Sequence, residues 1–270
     1  MSMNLSVFFN KAIGKIGRLL YESNHVNWFA TLYFNLRQFP LKTALKLPIY
    51  IYFNTRLIDL SGKIVVNTDV HRGMVRIGKK WTRSQGSTYF QNRGLWIING
   101  TMTLCKGTRL QIMPEAVFVT GSNVNVRECC YIAVNQRVVL GDYCGLAYGC
   151  QIIDSDFHYT INTDTRQCPY MKADIVIGDD NWIGSYTMIK KGTKTPNKCI
   201  VASAYSVLCK DYTHSIPENA VIGGVPAKLI STNTRRVFNM SSHIQLANHY
   251  SKTKNIFVLP DSDDLNAFCD

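Results

Sequence analysis

The chain has 270 residues, 46% of them hydrophobic, which is enough for a sizeable core in one or two domains. Its formal charge of +12 favours anionic partners such as anionic lipid or a polyphosphate-bearing small molecule. The basic residues are spread along the chain without a nucleic-acid motif, so nucleic acid is not expected as a partner.

The N-terminal region, residues 1–62, differs from the rest of the chain. An aromatic and amphipathic segment, NWFATLYFNLR, begins at Asn27, and Lys42, Lys46 and Arg56 follow it. One interpretation is a helical cap on one end of the domain that follows. The alternative is a basic amphipathic surface that binds an anionic membrane. We expect the cap, because amphipathicity usually indicates packing against a core.

A period of six residues characterises the region from 63 to 230. The segments that begin at Ile64 and Val75 are expected to be its first strands. Three series of mostly aliphatic residues, spaced six apart, follow. The first is looser and contains one slip, before Val134: Ile112, Phe118, Val124 and Val134. The two stricter series are Leu140, Leu146 and Ile152, and then Ile177, Ile183, Ile189, Thr195, Val201 and Val207. This period fits neither an α-helix nor a simple two-residue alternation. It predicts an all-β solenoid of triangular coils, in which each side is a short strand.

The cysteine content follows from the same repeat. The fourth residue after each aliphatic position is usually small, as at Cys144, Cys150 and Cys199. Free cysteine often serves as a small buried residue. The nine cysteines include no CxxC pair and no zinc-type spacing, and no secretory signal is evident. We therefore expect free thiols, a cytoplasmic protein and no metal.

The repeat is interrupted between Ile152 and Ile177. The intervening loop, residues 154–173, is polar and contains His158. Loops that leave a regular scaffold often carry function. The repeat stops after Val207, the segment GGVPAKLI closes the solenoid, and residues 231–270 are expected to form a short helical tail.

Four ordered segments resemble the hexapeptide-repeat acyltransferases, in the subgroup of maltose, galactoside and capsule or lipopolysaccharide O-acetyltransferases. They are IVIGDDNWIG from Ile175, IKKG from Ile189, VASAYSVLCKD from Val201 and IPENAVIGGVPAK from Ile216. The resemblance implies a left-handed parallel β-helix, acetyl-CoA as the donor, and a homotrimer whose active sites are each shared between two subunits. The segment 202–206 departs from the family, because it lacks glycine and is one residue longer.

His158 is the candidate general base. Transfer of an acetyl group from a thioester to a hydroxyl requires removal of the hydroxyl proton, and an imidazole is suited to this near neutral pH. His158 also matches the catalytic histidine of the family. We expect Asp154 or Asp156 to orient its ring.

The resemblance also implies roles for residues beyond the loop. Trp182 would lie against the acetyl-binding cleft, and the Ser185 N–H would stabilise the oxyanion. Arg235 and Arg236 are further candidates for contacts with phosphate. The residues expected to bind coenzyme A are Gly184, Ser203, Ala204, Lys210, Pro226, Ala227 and Lys228.

Three functions remain open at this stage. The first is O-acetylation of a sugar or glycan, such as a capsule or lipopolysaccharide. The second is N-acetylation of an amino sugar or nucleotide sugar, and the third is a non-catalytic β-solenoid that binds a partner. The γ-class carbonic anhydrases share this architecture but need three histidines around zinc, and only His158 lies in the strict repeat between Leu140 and Val207.

Overall fold

The computed structural model describes residues 24–81 and 86–270 and shows a parallel β-solenoid with three faces. Successive coils contribute strands to each face in turn. Face 1 contains nine strands: β1 (Ile49–Ile51), β4 (Val75–Lys79), β7 (Met102–Cys105), β10 (Val124–Val126), β13 (Gly145–Leu146), β16 (Trp182–Ile183), β18 (Ile200–Val201), β20 (Val221–Gly223) and β21 (Lys228–Ser231).

The other two faces complete the triangular cross-section. Face 2 contains seven strands: β2 (Thr55–Asp59), β5 (Thr88–Asn92), β8 (Arg109–Ile112), β11 (Tyr131–Val134), β14 (Gln151–Ile153), β17 (Met188–Lys190) and β19 (Val207–Leu208). Face 3 contains five: β3 (Lys63–Val66), β6 (Leu95–Ile98), β9 (Val117–Thr120), β12 (Arg137–Leu140) and β15 (Ile175–Ile177). All pairs between neighbouring strands are parallel except that of β20 with β21, which is antiparallel.

The aliphatic residues of the repeat stack inside the solenoid. On face 1, for example, Leu146 of β13 pairs in register with Ile183 of β16, and both are fully buried. Each inward side chain therefore contacts a similar neighbour in the coil above and below, which is how solenoids are stabilised. The predicted small positions Cys144, Cys150 and Cys199 are also fully buried.

The inward register shifts by one residue near the last coil. The repeat predicted that Val207 points inward, but Val207 is only half-buried whereas Leu208 is fully buried. The additional residue in the segment 202–206 causes the shift. Ser206 occupies the small buried position, and Tyr205 lies outside with a left-handed φ of 65°.

The parallel ladder begins before residue 63. Strand β1 pairs with β4, and β2 pairs with β5, so residues 49–59 are part of the stack. These residues fell in the N-terminal region of the sequence prediction because they do not follow the six-residue period.

Two helices, α1 (Trp28–Gln38) and α2 (Leu41–Ala44), precede β1. The buried side chains of α1 satisfy the free edge of β1. The Asn35 side chain accepts from the Ile49 N–H at 3.2 Å and donates to the Ile49 carbonyl at 2.7 Å, and the Ile51 N–H donates to the Thr31 hydroxyl at 3.0 Å. Unpaired backbone groups at a buried strand edge are costly, so α1 stabilises this end of the solenoid. This supports the capping interpretation.

The opposite side of α1 is apolar and exposed. Phe29 is 84% exposed, and Leu32, Tyr33 and Leu36 are exposed as well. No acidic residue occurs between residues 24 and 58, whereas Arg37 and Lys42 lie in or beside this face. A cap and a membrane-binding surface are therefore compatible, since they use opposite sides of the helix.

The predicted C-terminal tail contains helices α3 (Met240–Lys252) and α4 (Leu265–Cys269). The stretch between β21 and α3 runs across the outside of face 1, where Phe238 contacts Tyr143 edge to face with ring centroids 5.6 Å apart. No helix within the described residues is long and apolar enough to cross a membrane.

Candidate active site

The predicted site residues fall on two separate parts of the solenoid. The loop that carries His158 leaves the edge between faces 2 and 3, since it joins β14 to β15. Trp182 projects from face 1, the face opposite that edge, where it is 44% exposed. One protomer therefore does not bring the base and the predicted acetyl cleft together.

Lys191 holds together the two ends of the loop that carries His158. Its Nζ lies 2.6 Å from Asp156 Oδ2 and donates to the Tyr170 carbonyl at 3.0 Å. The Asp156 N–H also donates to the Met171 carbonyl at 2.9 Å. The two ends of the loop are thus joined, and His158 lies two residues beyond this junction.

His158 is exposed and has no hydrogen-bond partner within the described residues. The prediction that Asp154 or Asp156 orients its ring is not supported. Asp156 is paired with Lys191, and Asp154 is fully buried. The Asp154 carboxylate accepts from the Asn135 N–H at 2.7 Å, the Asn135 side chain at 3.1 Å and the Gln136 N–H at 2.8 Å.

The structure gives Asp154 a structural role instead. A buried carboxylate is costly unless hydrogen bonds satisfy it, and three donors from the preceding coil do so. Asp154 therefore fixes the start of the loop against the turn at residues 135–136, whereas the ring of His158 remains free to contact a substrate.

The predicted coenzyme A residues gather mainly at the edge between faces 1 and 2. A Cβ at Gly184 would lie 2.5 Å from the Ser203 N, so only glycine permits the next coil to stack here. The Ser185 N–H has no acceptor in the described part of the chain, which is what an oxyanion donor requires. Ser203, Ala204 and Pro226 are exposed at the same edge, and Ala227 is buried.

Three exposed tyrosines also stack along this edge. Tyr186 contacts Tyr148 edge to face at 5.5 Å and stacks on Tyr205 at 5.4 Å. The sequence gave no signal for this contact, because it joins three coils. The two predicted lysines are exposed and separated: Lys228 begins β21 on face 1, whereas Lys210 follows β19 at the edge between faces 2 and 3.

A groove of about 720 Å³ opens on face 1 beside Trp182. Sequence reasoning missed it, because its walls come from several coils and from the C-terminal segment. The lining includes Trp81, Asn125, Arg127, Gly145, Trp182, Arg236, Phe238 and His243. The Arg236 guanidinium lies 5.4 Å from the Trp182 ring and 4.9 Å from the Phe238 ring.

Two buried cysteines of the small-residue position, Cys144 and Cys199, are poor nucleophiles. Burial raises the pKa of the Cys144 and Cys199 thiols to about 12, so both are protonated near neutral pH. Exposed thiols exist only at Cys168 and Cys209 within the described residues. Cys168 lies in the same loop as His158, and a role for it needs a direct test. No cluster of three or more potential metal ligands occurs among the described residues.

A parallel three-faced solenoid is the fold of the β-helix acyltransferases, the class of protein that the sequence resembles. The chain is 31% identical over 150 residues to a protein of Escherichia coli K12 that carries the name lipopolysaccharide biosynthesis O-acetyl transferase WbbJ. The match covers 53% of this chain and 74% of the relative. No protein-family profile matches the chain.

One solved structure supports the fold. The polySia-specific acetyltransferase NeuO superimposes with a TM-score of 0.54 at 17% identity, over 76% of this chain and 88% of its own. The polysialic acid O-acetyltransferase OatWY is 22% identical, with a TM-score of 0.39, over 80% and 96% of the two chains. The predicted left-handed parallel β-helix is confirmed. The chain belongs to the hexapeptide-repeat acetyltransferases.

Proposed function

We propose that this protein transfers an acetyl group from acetyl-CoA to a hydroxyl of a sugar or glycan, with His158 as the general base. The observation that carries the proposal is the position of His158: its imidazole is exposed and unpartnered on a loop whose base is fixed by Lys191. The name of the curated relative, which concerns O-acetylation in lipopolysaccharide biosynthesis, supports a saccharide acceptor.

The chemistry needs no covalent intermediate on the protein. His158 removes the proton of the acceptor hydroxyl while the oxygen attacks the thioester carbonyl. The Ser185 N–H donates to the developing oxyanion. When the intermediate collapses, the carbon–sulfur bond breaks, and the imidazolium returns the proton to the coenzyme A thiolate. Free coenzyme A and the acetyl ester are the products.

The test is acetyl transfer by a His158→Ala variant. We expect kcat to fall by about 10²–10⁴, the usual contribution of a positioned base, with no change in melting temperature. The matched control is Cys168→Ser on the same loop, which should retain activity. A His158→Ala enzyme within a few-fold of the parent contradicts the assignment, and so does an acetylated cysteine trapped with acetyl-CoA alone.

Acceptor chemistry separates the two catalytic alternatives. O-acetylation yields an ester that hydroxylamine cleaves at mild alkaline pH, whereas N-acetylation of an amino sugar yields a stable amide. We expect the ester. An amide product would leave the acyltransferase assignment intact and replace the acceptor hydroxyl with an amine.

A shared active site explains why the site residues lie on two parts of the solenoid. In a cyclic trimer, the loop edge of one protomer can face Trp182 of the next. We therefore propose a homotrimer, with three times the protomer mass of 30.6 kDa in light scattering. A monomer with intact acetyl transfer would contradict it.

Subunit mixing tests the sharing directly. His158→Ala and Trp182→Ala protomers, each inactive alone, should regain activity when they are unfolded and refolded together. Random mixing restores about a quarter of the sites, because a restored site takes its histidine from one variant and its tryptophan from the other. No recovery would place both residues in the same protomer's site.

We also propose that the exposed side of α1 binds the surface of an anionic membrane, which would bring the enzyme close to a lipid-linked glycan. The absence of acidic residues between residues 24 and 58 supports this, as does the exposure of Phe29 and Leu32. The α1 side chains that cap β1 lie on the opposite side of the helix, so membrane binding would leave those contacts unchanged.

A further inference from the structure

The groove on face 1 contains two arginines without an ion-pair partner. Arg127 and Arg236 both line it, and no carboxylate of the described residues lies within 4.0 Å of either guanidinium. Other described arginines do form ion pairs: Arg137 pairs with Asp174 away from the groove, and Arg235 pairs with Asp270 at its margin.

Aromatic rings hold both guanidiniums in place. Arg127 lies 3.9 Å from the centroid of the Trp81 ring, and Arg236 lies between the rings of Trp182 and Phe238. Stacking on a ring leaves the N–H groups at the edge of a guanidinium available for another acceptor. Each guanidinium therefore keeps N–H groups available for a ligand, although Arg127 also donates a hydrogen bond to the Cys105 side chain.

Gly145 makes room for this arrangement. It lies on face 1 between Asn125 and Trp182, and a Cβ there would meet Arg236 Nη1 at 3.0 Å. The missing side chain allows the guanidinium to lie close to the strand. The pKa of Arg236 is lowered by burial and, secondarily, by the positive charge of Arg127, so the two charges act on each other. An anion between them would relieve that repulsion.

The carboxylates around the groove do not form ion pairs with these guanidiniums. The negative charge of Asp180 acts on Arg236, but its carboxylate lies beyond ion-pair distance. Asp270 lines the groove, but its carboxylate pairs with Arg235. The Glu128 carboxylate is buried and accepts from the Trp81 N–H at 3.1 Å. His243 also lines the groove, and an imidazole carries no negative charge in either protonation state. The groove thus combines unpaired positive charge with flat apolar rings.

We infer that the groove on face 1 binds an anionic saccharide acceptor, with Arg127 and Arg236 pairing with its carboxylate or phosphate and Trp182 packing against its ring. Guanidinium groups bind carboxylate and phosphate in a bidentate manner, and the flat C–H face of a sugar packs on indole. This inference rests on the proposed function and narrows its acceptor to acidic glycans. The position of Trp182 would place the acceptor beside the partner subunit's loop.

The experiment measures binding and turnover with matched sugars. The probes are oligosaccharides that contain uronate, sialate or phosphate groups, each paired with a counterpart that is carboxyl-reduced or dephosphorylated. The variants are Arg236→Gln, Arg127→Gln and Arg236→Lys. The control is Arg109→Gln on face 2, because Arg109 also stacks on aromatic rings, those of Tyr89 and Tyr131.

We expect at least one acidic probe to bind about tenfold or more tightly than its neutral counterpart. The Gln variants should lose that discrimination, mainly through KM, and Arg236→Lys should keep part of it. Arg109→Gln and the Kd of coenzyme A should not change. Melting temperatures establish that each variant is folded.

Two results overturn the inference. Equal binding of acidic and neutral probes across the whole set shows that the groove does not select charge. A loss of coenzyme A affinity in the Gln variants, with acceptor binding unchanged, assigns the arginines to the donor's phosphates instead. Failure of the proposed function looks different, since no saccharide of either kind would then be acetylated.

Discussion

The N-terminal and C-terminal coils of the solenoid are built differently. In the first coils, residues 49–120, most strands are four or five residues long, and aromatic rings fill the interior. Phe34 of α1 contacts Phe90, which contacts Trp96, which contacts Phe118, with ring centroids 5.4–5.9 Å apart in each pair. In the later coils, residues 137–223, most strands have two or three residues, and the core consists largely of aliphatic residues, Cys and Thr.

The first coils contribute mainly to stability, whereas the later coils carry most of the candidate site. The first coils bury large aromatic side chains and are closed by α1, whereas the later coils carry the loop, the exposed edge with Gly184 and the Gly145 and Trp182 part of the groove. Small inward residues and glycine at the turns allow backbone groups and ligands to approach closely in the later coils. The first coils therefore act as the support on which the later coils stack.

The largest effect on stability is expected from Trp96→Ala. Trp96 is fully buried, and its Nε1–H donates to the Thr120 hydroxyl at 3.2 Å. Removal of the ring should lower the free energy of unfolding by about 3–5 kcal/mol, because the rigid stack cannot collapse around the cavity. Denaturant unfolding measures the loss. The kcat per folded molecule should not change, and a proportional loss of kcat would contradict the division of roles.

A smaller loss is expected from Asp154→Asn at the boundary of the loop. The variant keeps the shape but replaces a charged acceptor with an amide that presents donors to the Asn135 and Gln136 N–H groups. We expect a loss of about 2–3 kcal/mol, in the range for hydrogen bonds to a buried charged group. Asp156→Asn, at the exposed pair with Lys191, is the control and should cost no more than about 1 kcal/mol.

The kinetics of Asp154→Asn test whether this carboxylate also orients the His158 imidazole. If Asp154 orients the imidazole, the pH dependence of kcat should shift in the variant. The hydrogen bonds of the structure predict an unchanged pH profile, with any loss of rate following the loss of folded protein.

The smallest effect is expected at the outer side of α1. Phe29→Ser together with Leu32→Ser should weaken binding to vesicles that contain anionic lipid by roughly tenfold, through lost apolar burial. Sedimentation with vesicles measures it, and the melting temperature should hold because neither side chain is buried. The control is Val258→Ser, an equally exposed apolar residue of the C-terminal tail. Equal vesicle binding by all three proteins would exclude the membrane surface.

The sequence predicted the later coils well and the first coils poorly, for a physical reason. The core of the later coils admits one aliphatic residue at each position, so the six-residue period is visible from Leu140 onward. The core of the first coils, which contains Trp96 and Phe90, tolerates longer strands and irregular spacing. The same irregularity concealed β1 and β2, which lie before the first residue of the predicted repeat.

The candidate site was predictable only where it is local in sequence. His158 could be found because the loop interrupts the repeat within one stretch of chain. The partners of Asp154 and the groove of Arg127 and Arg236 could not be found, because stacking brings together residues from different coils. Arg236 was singled out as a phosphate contact, but its position beside Gly145 depends on the path of the C-terminal segment.

The two ends of the stack are closed by different means, and this restricts how copies of the chain can associate. Side chains of α1 occupy the edge of β1, and at the other end β21 reverses direction against β20. An open parallel edge would accept the first coil of another molecule and allow chains to grow into fibres. With both ends of face 1 blocked, the proposed trimer would have to form through the sides of the solenoid, and its size would then be limited by closure of the ring.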